Sequence, residues 1–548
     1  MKKYNTLFVV VITILLTALL TWILPITYLN GELLEAPRFQ AGITNIFSYS
    51  VYTFYNFIYV FVYLLGVGGL YGLLNKTGAY RLLLEKIVKR VEKHQVLWLI
   101  VTVLFLSIVT SLNAFTFEAM IILPFIAGIV LMLGYDKITA ALITVGSVAT
   151  GIIGNTFSNL VQGNFMELID SLKFTDLIIV KVILLVVCAA ILIVNIILHA
   201  KKVEKTKNVS ESFIVPEKVK GKVKVWPLVT ILCIFGLVLL LATINWTNAF
   251  EIDFFTTLLG NINSGKVLSK YVVLVVSLLV VIGNVLYSII KNKKEKNKKL
   301  MTKKRLIVTI CFGVFALLAL LKVMLEDVFN ATDIMTKAIE AIKLNEVIDN
   351  FTFSKLLGNV NAFGEWGYPD YLVWMMILIL TIKFTYRIKM DEVLENVGNG
   401  FKNVLYATLV ALLAYTVLML TASHPVVLTA LRPLLELTDG LSVLWYPIAT
   451  FINALFNTDF TYYSKHILTL DYAKNYFTVT SVYPLCALIT QCMYGLAIMI
   501  APTSATLLFS LAFLDIKYTT WLKKVWLLFL ELVLVVFVAF IIVSKFLI

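Results

Sequence analysis

Apolar runs of about 20 residues, the length that crosses a bilayer as a helix, recur along this chain. They fall at residues 5–28, 50–74, 138–162, 176–199, 225–244, 270–290, 306–325, 371–387, 403–421, 479–506 and 522–546. Little chain is left from which to build a water-soluble core. Of 548 residues, 60% are hydrophobic and 14% charged, and the mean hydropathy is +0.93. The chain therefore reads as an all-α polytopic membrane protein. The first run follows Met1-Lys2-Lys3 but is longer than a signal-peptide core and has no small-residue cleavage site after it, so it is read as a permanent helix.

The net charge of +14 does not point to nucleic acid. The lysines concentrate in three short stretches, 75–95, 200–224 and 291–305, and are not interleaved with aromatics in a patch. The positive-inside rule puts these stretches, and with them the N-terminus, in the cytoplasm of a multi-pass plasma-membrane protein. Five cysteines, Cys188, Cys233, Cys311, Cys486 and Cys492, lie in apolar segments without CxxC spacing, which reads as packing and not as a metal site or a disulfide framework.

Of the two apolar runs that follow the first basic stretch, 96–112 and 118–134, the second is short and carries Glu118, so they are not read as two full crossings. The pair reads as a re-entrant hairpin over about 96–134, turning near Asn113 to Thr116 and carrying Glu118. Non-helical backbone at that depth must be buried in protein or line a watery cavity. A second hairpin of opposite sense is expected over about 443–477, with Asn457, Thr458 and Asp459 at its tip. Each hairpin precedes a helix with a polar interruption. In 138–162 it is "GIIGNTFSNL", containing Asn155, Thr156, Ser158 and Asn159; in 479–506 it is "MIAPTSAT", containing Thr503 and Ser504. Two inverted repeats, each with a re-entrant hairpin and a broken transmembrane helix, are the pattern of secondary transporters. The first repeat is placed at 1–200 and the second at 306–548, joined by a connecting region at 201–305 with two extra helices; an outer loop lies at 326–368.

The runs "GVGGLYGLLNKTGAY", "FEAMIILPFIAGIVLMLGYDKITAALITVGSVATGIIGNT", "GEWGYPDYLVWMMILILTIKFTYRIKMDEVLENVGNGFKN" and "IAPTSATLLFSLAFLDIKYTTWLKKVW" resemble the C4-dicarboxylate anaerobic carrier-like family of the ion transporter superfamily. Its members are described as dicarboxylate or basic amino acid carriers. The resemblance covers roughly 40–200 and 305–546, and implies an inverted-repeat fold, a homodimer with a scaffold and a moving unit, and cation-coupled, elevator-like transport of a small organic anion or amino acid. The chain departs from the family pattern at both hairpin tips. It also departs before "PTS", where Tyr494-Gly495-Leu496-Ala497-Ile498 stands in place of Asp-Gly-x-Ser-Asn. Residues 225–300 and 326–368 look like additions.

Asn113, Thr116, Asn155, Thr156, Asn457, Thr458, Thr503 and Ser504 are the expected solute ligands. Their bland alternative is helix packing through bonds to backbone. Glu118, Ser158, Asn159 and Asp459 are the expected ion or proton ligands, because intramembrane carboxylates are functional by default; a structural ion pair is the alternative. Glu531 stands between function and packing. Lys181, Lys322 and Lys383 lie near enough to helix ends to snorkel, and His94, His199, His424 and His466 read as interfacial. No cofactor is expected beyond a coupling ion, H⁺ or Na⁺. Loss of the oxygen-rich Asp-Gly-x-Ser-Asn stretch favours the proton, or exchange of solutes. No P-loop, HExxH, nucleophile elbow or CxxCH is present. The rival reading is a membrane-embedded glycosyltransferase or polysaccharide polymerase using the acidic residues of 326–368 with Glu365 and Asp370.

Overall fold

The computed structural model describes residues 5–24, 28–29, 32–33, 40–113, 115–158, 172–173, 175–203, 211–218, 223–243, 277–285, 308–314, 316–317, 320, 366–427, 429–431, 443–457 and 482–547. The chain forms two compact units. One comprises residues 1–240 and 367–548; the other, 241–366, contains helical residues at 277–285 and 308–314. Apart from two paired dipeptide strands, β1 (Tyr28–Leu29) and β2 (Glu32–Leu33), the described secondary structure is helical. Eight of the described helices are long and apolar enough to cross a membrane.

The larger unit begins with α1 (Asn5–Ile23), α2 (Ile43–Asn56), α3 (Ile58–Lys76), α4 (Ala79–Val91) and α5 (Gln95–Asn113). A 3₁₀ segment, Phe117–Ile122, leads into α6 (Leu123–Met132). The first interrupted helix is α7 (Lys137–Ala141), a π-helical turn (Leu142–Gly146) and α8 (Ser147–Ile153). After α9 (Ile178–Lys202) and α10 (Trp226–Thr243), the unit resumes with α11 (Tyr368–Tyr386), α12 (Met390–Ser423) and α13 (Trp445–Phe456). The second interrupted helix is α14 (Tyr483–Ile500) and α15 (Ala505–Phe513), and α16 (Tyr518–Leu547) closes the chain.

Three differences from the sequence reading have clear causes. Residues 79–91, taken for part of a basic loop, are helix α4: Ala79, Tyr80 and Leu84 pack inward and Lys89 and Arg90 close its last turn, an amphipathic pattern the charges concealed. The first interrupted helix stops at Ile153, inside the expected interruption, but is also distorted earlier by a π turn the sequence did not announce. The second extends past 506 to Phe513.

Helices α3 and α12 pack most tightly. A Cβ on Gly72 would strike the Asn396 carbonyl and one on Gly400 the Gly68 carbonyl, so backbones meet where side chains normally separate helices. The described part of the basic 200–224 stretch folds against α3 and α4: Asn75 Nδ2 donates to Phe213 O at 2.9 Å and Arg81 Nη1 to Pro216 O at 3.3 Å. At the far end of the chain, Tyr518 N donates to Asn5 Oδ1 at 3.1 Å, so the start of α1 and the basic segment 515–524 lie together.

Around the interrupted helices the directions are fixed by contacts. Helix α5 runs parallel to α8, with Ser107 Oγ 2.9 Å from Thr150 Oγ1 and Ser111 Oγ donating to Gly154 O at 2.6 Å. Helix α13 runs parallel to α14–α15, with Tyr446 OH 3.4 Å from Thr490 Oγ1 and Thr503 Oγ1 donating to Leu455 O at 2.6 Å. Helices α8 and α14 cross antiparallel: a Cβ on Gly495 would meet Ala149 O at 2.9 Å, while Gln491 lies beside Ile153 and Asn155. The Glu531 carboxylate accepts from Asn195 Nδ2 at 2.6 Å, tying α16 to α9.

Gly400→Ala is expected to lower the melting temperature of the purified protein, because overpacking costs about 1–3 kcal/mol. Gly398→Ala, where a Cβ meets nothing within 4 Å, should leave it unchanged or raise it. Equal effects would rule out backbone contact between α3 and α12.

Candidate functional site

Where α8 ends, the helix leaves carbonyls without intrahelical partners, and neighbouring helices supply donors. Gln491 Nε2, from the uninterrupted middle of α14, donates to Ile153 O at 2.8 Å and to Asn155 O at 3.1 Å. Ser111 Oγ takes Gly154 O, and Thr156 N donates back to Ser111 O at 3.0 Å. Gly154 is obligatory here, since a Cβ would press into the Leu185 backbone at 2.6 Å from its Cα. The stretch Asn155–Ser158 is thereby held unwound, and Asn155, Thr156 and Ser158 are buried.

Asn155 is 1% exposed, and among the described residues neither its amide nitrogen nor its amide oxygen has a hydrogen-bond partner. Gln491 Oε1 beside it is likewise unspent. Leaving such groups buried and unmade costs about 1–3 kcal/mol each, and two such amides stand side by side here among the described residues.

At the second break, Thr503 Oγ1 holds Leu455 O, and Ser504 caps α15 by accepting from Leu507 N at 3.3 Å. Asn457 Nδ2 donates to Asn453 O at 3.1 Å, while Asn453 Nδ2 and Asn457 Oδ1 have no partner among the described residues. The carbonyls ending α14 are also met: Trp521 Nε1 donates to Met499 O at 2.8 Å, and the Tyr518 hydroxyl to Ile500 O. Ten residues of α14 separate Gln491 from Ala501, about 15 Å of rise. The two breaks thus stand at different levels along α14.

Glu118 forms a third cluster with Thr116. Its Oε1 accepts from Tyr368 OH at 2.7 Å and its Oε2 from Thr116 N at 2.9 Å, while Tyr63 OH donates to the Glu118 carbonyl at 2.8 Å. It borders a cavity of about 150 Å³ shared with Thr110 and Tyr371. Asn113 ends α5. Asn159, Thr458, Asp459, Lys322 and His466 lie outside the described residues.

Several structural readings change. Lys181 does not snorkel: it is 2% exposed, with its side chain turned inward. His424 is buried, with Nε2 3.0 Å from Tyr49 OH. His199 Nε2 lies 3.1 Å from Asp136 Oδ2. Burial pushes the Asp136 carboxyl up, but hydrogen bonds from His199 and Thr139 outweigh it and hold the group below the usual carboxylate range. Asp370, counted among candidate catalytic acids, accepts from Gly367 N at 2.9 Å and caps α11. Gln491 was missed because it lies in an unbroken apolar run with no motif around it.

Fold and site together define a polytopic helical membrane protein organised around two interrupted helices that cross within the bundle. A family model described as C4-dicarboxylate anaerobic carrier matches residues 5–545, and the chain belongs to that family. It is a family of transporters, which sets aside the membrane-enzyme alternative. No curated protein and no solved structure matches the chain.

Gln491→Leu is expected to leave Ile153 O and Asn155 O without their donor, destabilising the fold by about 1–3 kcal/mol. Thermal unfolding of the purified variant checks this; an unchanged midpoint would show that the amide does not close the break.

Proposed function

We propose that the chain is a secondary active carrier that moves a small dicarboxylate, or an amino acid of similar size, across the plasma membrane by an elevator-like movement. The observation that carries this reading is the buried Asn155 amide, without a partner among the described residues at the unwound end of α8. Family membership supports the dicarboxylate class. The inverted-repeat reading is supported by direction: in each half the arm before the hairpin tip runs parallel to its own interrupted helix, and the two interrupted helices cross antiparallel. The residues that bond the breaks also correspond, Ser111 standing two before Asn113 and Leu455 two before Asn457. The reading of a cytoplasmic N-terminus is supported by the company Asn5 keeps with the basic 515–524 segment. A homodimer remains part of the proposal through the family resemblance alone.

For coupling we favour a proton or solute exchange over sodium. A dehydrated Na⁺ at a broken helix takes its oxygens from unwound carbonyls. Here Ile153, Gly154, Asn155, Met499 and Ile500 carbonyls each accept from a donor of the chain itself. Glu118, bonded to Tyr368 across to α11, is the candidate proton carrier. Asp136 is not: its carboxyl, held below the ordinary carboxylate range, is ionised at neutral pH, and the stability its bonds supply is lost only as pH falls through that lowered value.

Uptake of labelled succinate and an amino acid panel into proteoliposomes tests the reading. Asn155→Ala should cut uptake at least about tenfold, some 1.4 kcal/mol, in protein that still folds; normal uptake would refute the site. Uptake should respond to a pH gradient or to internal solute and not to sodium. Glu118→Gln should abolish the pH response while sparing exchange, and Asp136→Asn should leave it intact. Steep, saturable sodium dependence without a pH response would overturn the coupling.

A further inference from the structure

Helix α9 lies antiparallel along the first interrupted helix, and three contacts fix its register. His199 meets Asp136 at 3.1 Å; Leu192 lies against Gly146, where a Cβ would approach its Cδ1 at 2.7 Å; Leu185 lies against Gly154. The next turn back along α9 carries Lys181, which this register sets opposite the unwound residues after Gly154. Its long side chain is among the most deeply buried in the protein, although it sits in the first turn of its helix, where reaching out to the membrane surface would be easy. Its electrostatic neighbours include Asp176 and Cys492. The Cys492 thiol in turn donates to Ile153 O at 3.5 Å, beside the Gln491 amide that holds Ile153 O and Asn155 O.

A helix C-terminus carries partial negative charge, so the end of α8 by itself repels a carboxylate and attracts a cation. The neutral amide of Asn155 offers hydrogen bonds but no charge. An anionic solute binding there needs a positive charge nearby, and a dianion needs it more than a monoanion does, because desolvating the second carboxylate without a counter-charge is severely unfavourable. We propose that Lys181 is a solute-binding residue whose ammonium pairs with a carboxylate of a dianionic solute at the Asn155 end of α8, and so sets preference for dicarboxylates over monocarboxylates. This rests on the reading of Asn155 as part of the solute site.

The test compares binding of succinate and of butyrate, a monocarboxylate of the same chain length, by isothermal titration to the purified full chain in nanodiscs. Lys181→Met should weaken succinate at least tenfold and change butyrate less than threefold. Lys181→Gln provides the same comparison if the methionine variant does not fold. Equal weakening of both solutes, or no change in either alongside loss of binding in Asn155→Ala, would overturn the role of Lys181 while leaving the site intact. If neither Lys181 nor Asn155 variants alter binding, the site reading itself fails. Failure of both neutral variants to fold would assign the charge to the scaffold and likewise overturn the proposal.

Discussion

The amide of Gln491 closes the structure at its most vulnerable point. A helix that stops inside a membrane exposes carbonyls that lipid cannot satisfy, and α8 stops at Ile153 with α14 crossing over it. One side-chain nitrogen from α14 reaches both Ile153 O and Asn155 O, and Ser111 takes the carbonyl between them. Because the two ends of this clasp belong to opposite halves of the chain, the break and the crossing stabilise each other. What the clasp leaves over among the described residues, the Asn155 amide and Gln491 Oε1, is the polar capacity that the proposed site would offer a solute.

Rigid and interrupted elements divide the larger unit between them. Backbone-to-backbone packing of α3 and α12 through Gly72 and Gly400 makes a pair that cannot slide without clashes. The interrupted helices add hydroxyl bonds to their apolar packing against neighbours, through Ser107, Thr150, Ser111 and Thr503. Glu118 ties α11 to α3, its carboxylate bonded to Tyr368 on α11 and its carbonyl to Tyr63 on α3. A proton added to that carboxylate changes which of these bonds can form, which is how a charge change would reach the packing between elements.

The apolar runs and the two interruptions were legible in the sequence because a bilayer imposes length and penalises unpaired backbone, and both leave marks in composition. Glycine and asparagine at 151–159 and "PTSA" at 502–505 therefore announced the breaks. Side-chain direction was not legible. Lys181 is close to a helix end in sequence, yet only packing against α8 turns it inward. Gln491 sits among Thr490 and Cys492 in a continuous apolar helix, and its role depends on a carbonyl more than 300 positions away. Helix α4 was hidden because its charges resemble a cytoplasmic loop, while the three buried residues that make it amphipathic are few. The relative level of the two breaks depends on how α8 and α14 cross, a tertiary quantity that local sequence does not encode.

The central claim is that the unwound end of α8 receives the solute. A cryo-electron microscopy structure of the full chain in nanodiscs at saturating succinate tests it most directly. Solute density within hydrogen-bond distance of the Asn155 amide, on the side of Gln491, is the predicted result. Clear density at another place in the bundle, with the Asn155 amide still lacking a polar partner, would contradict the account.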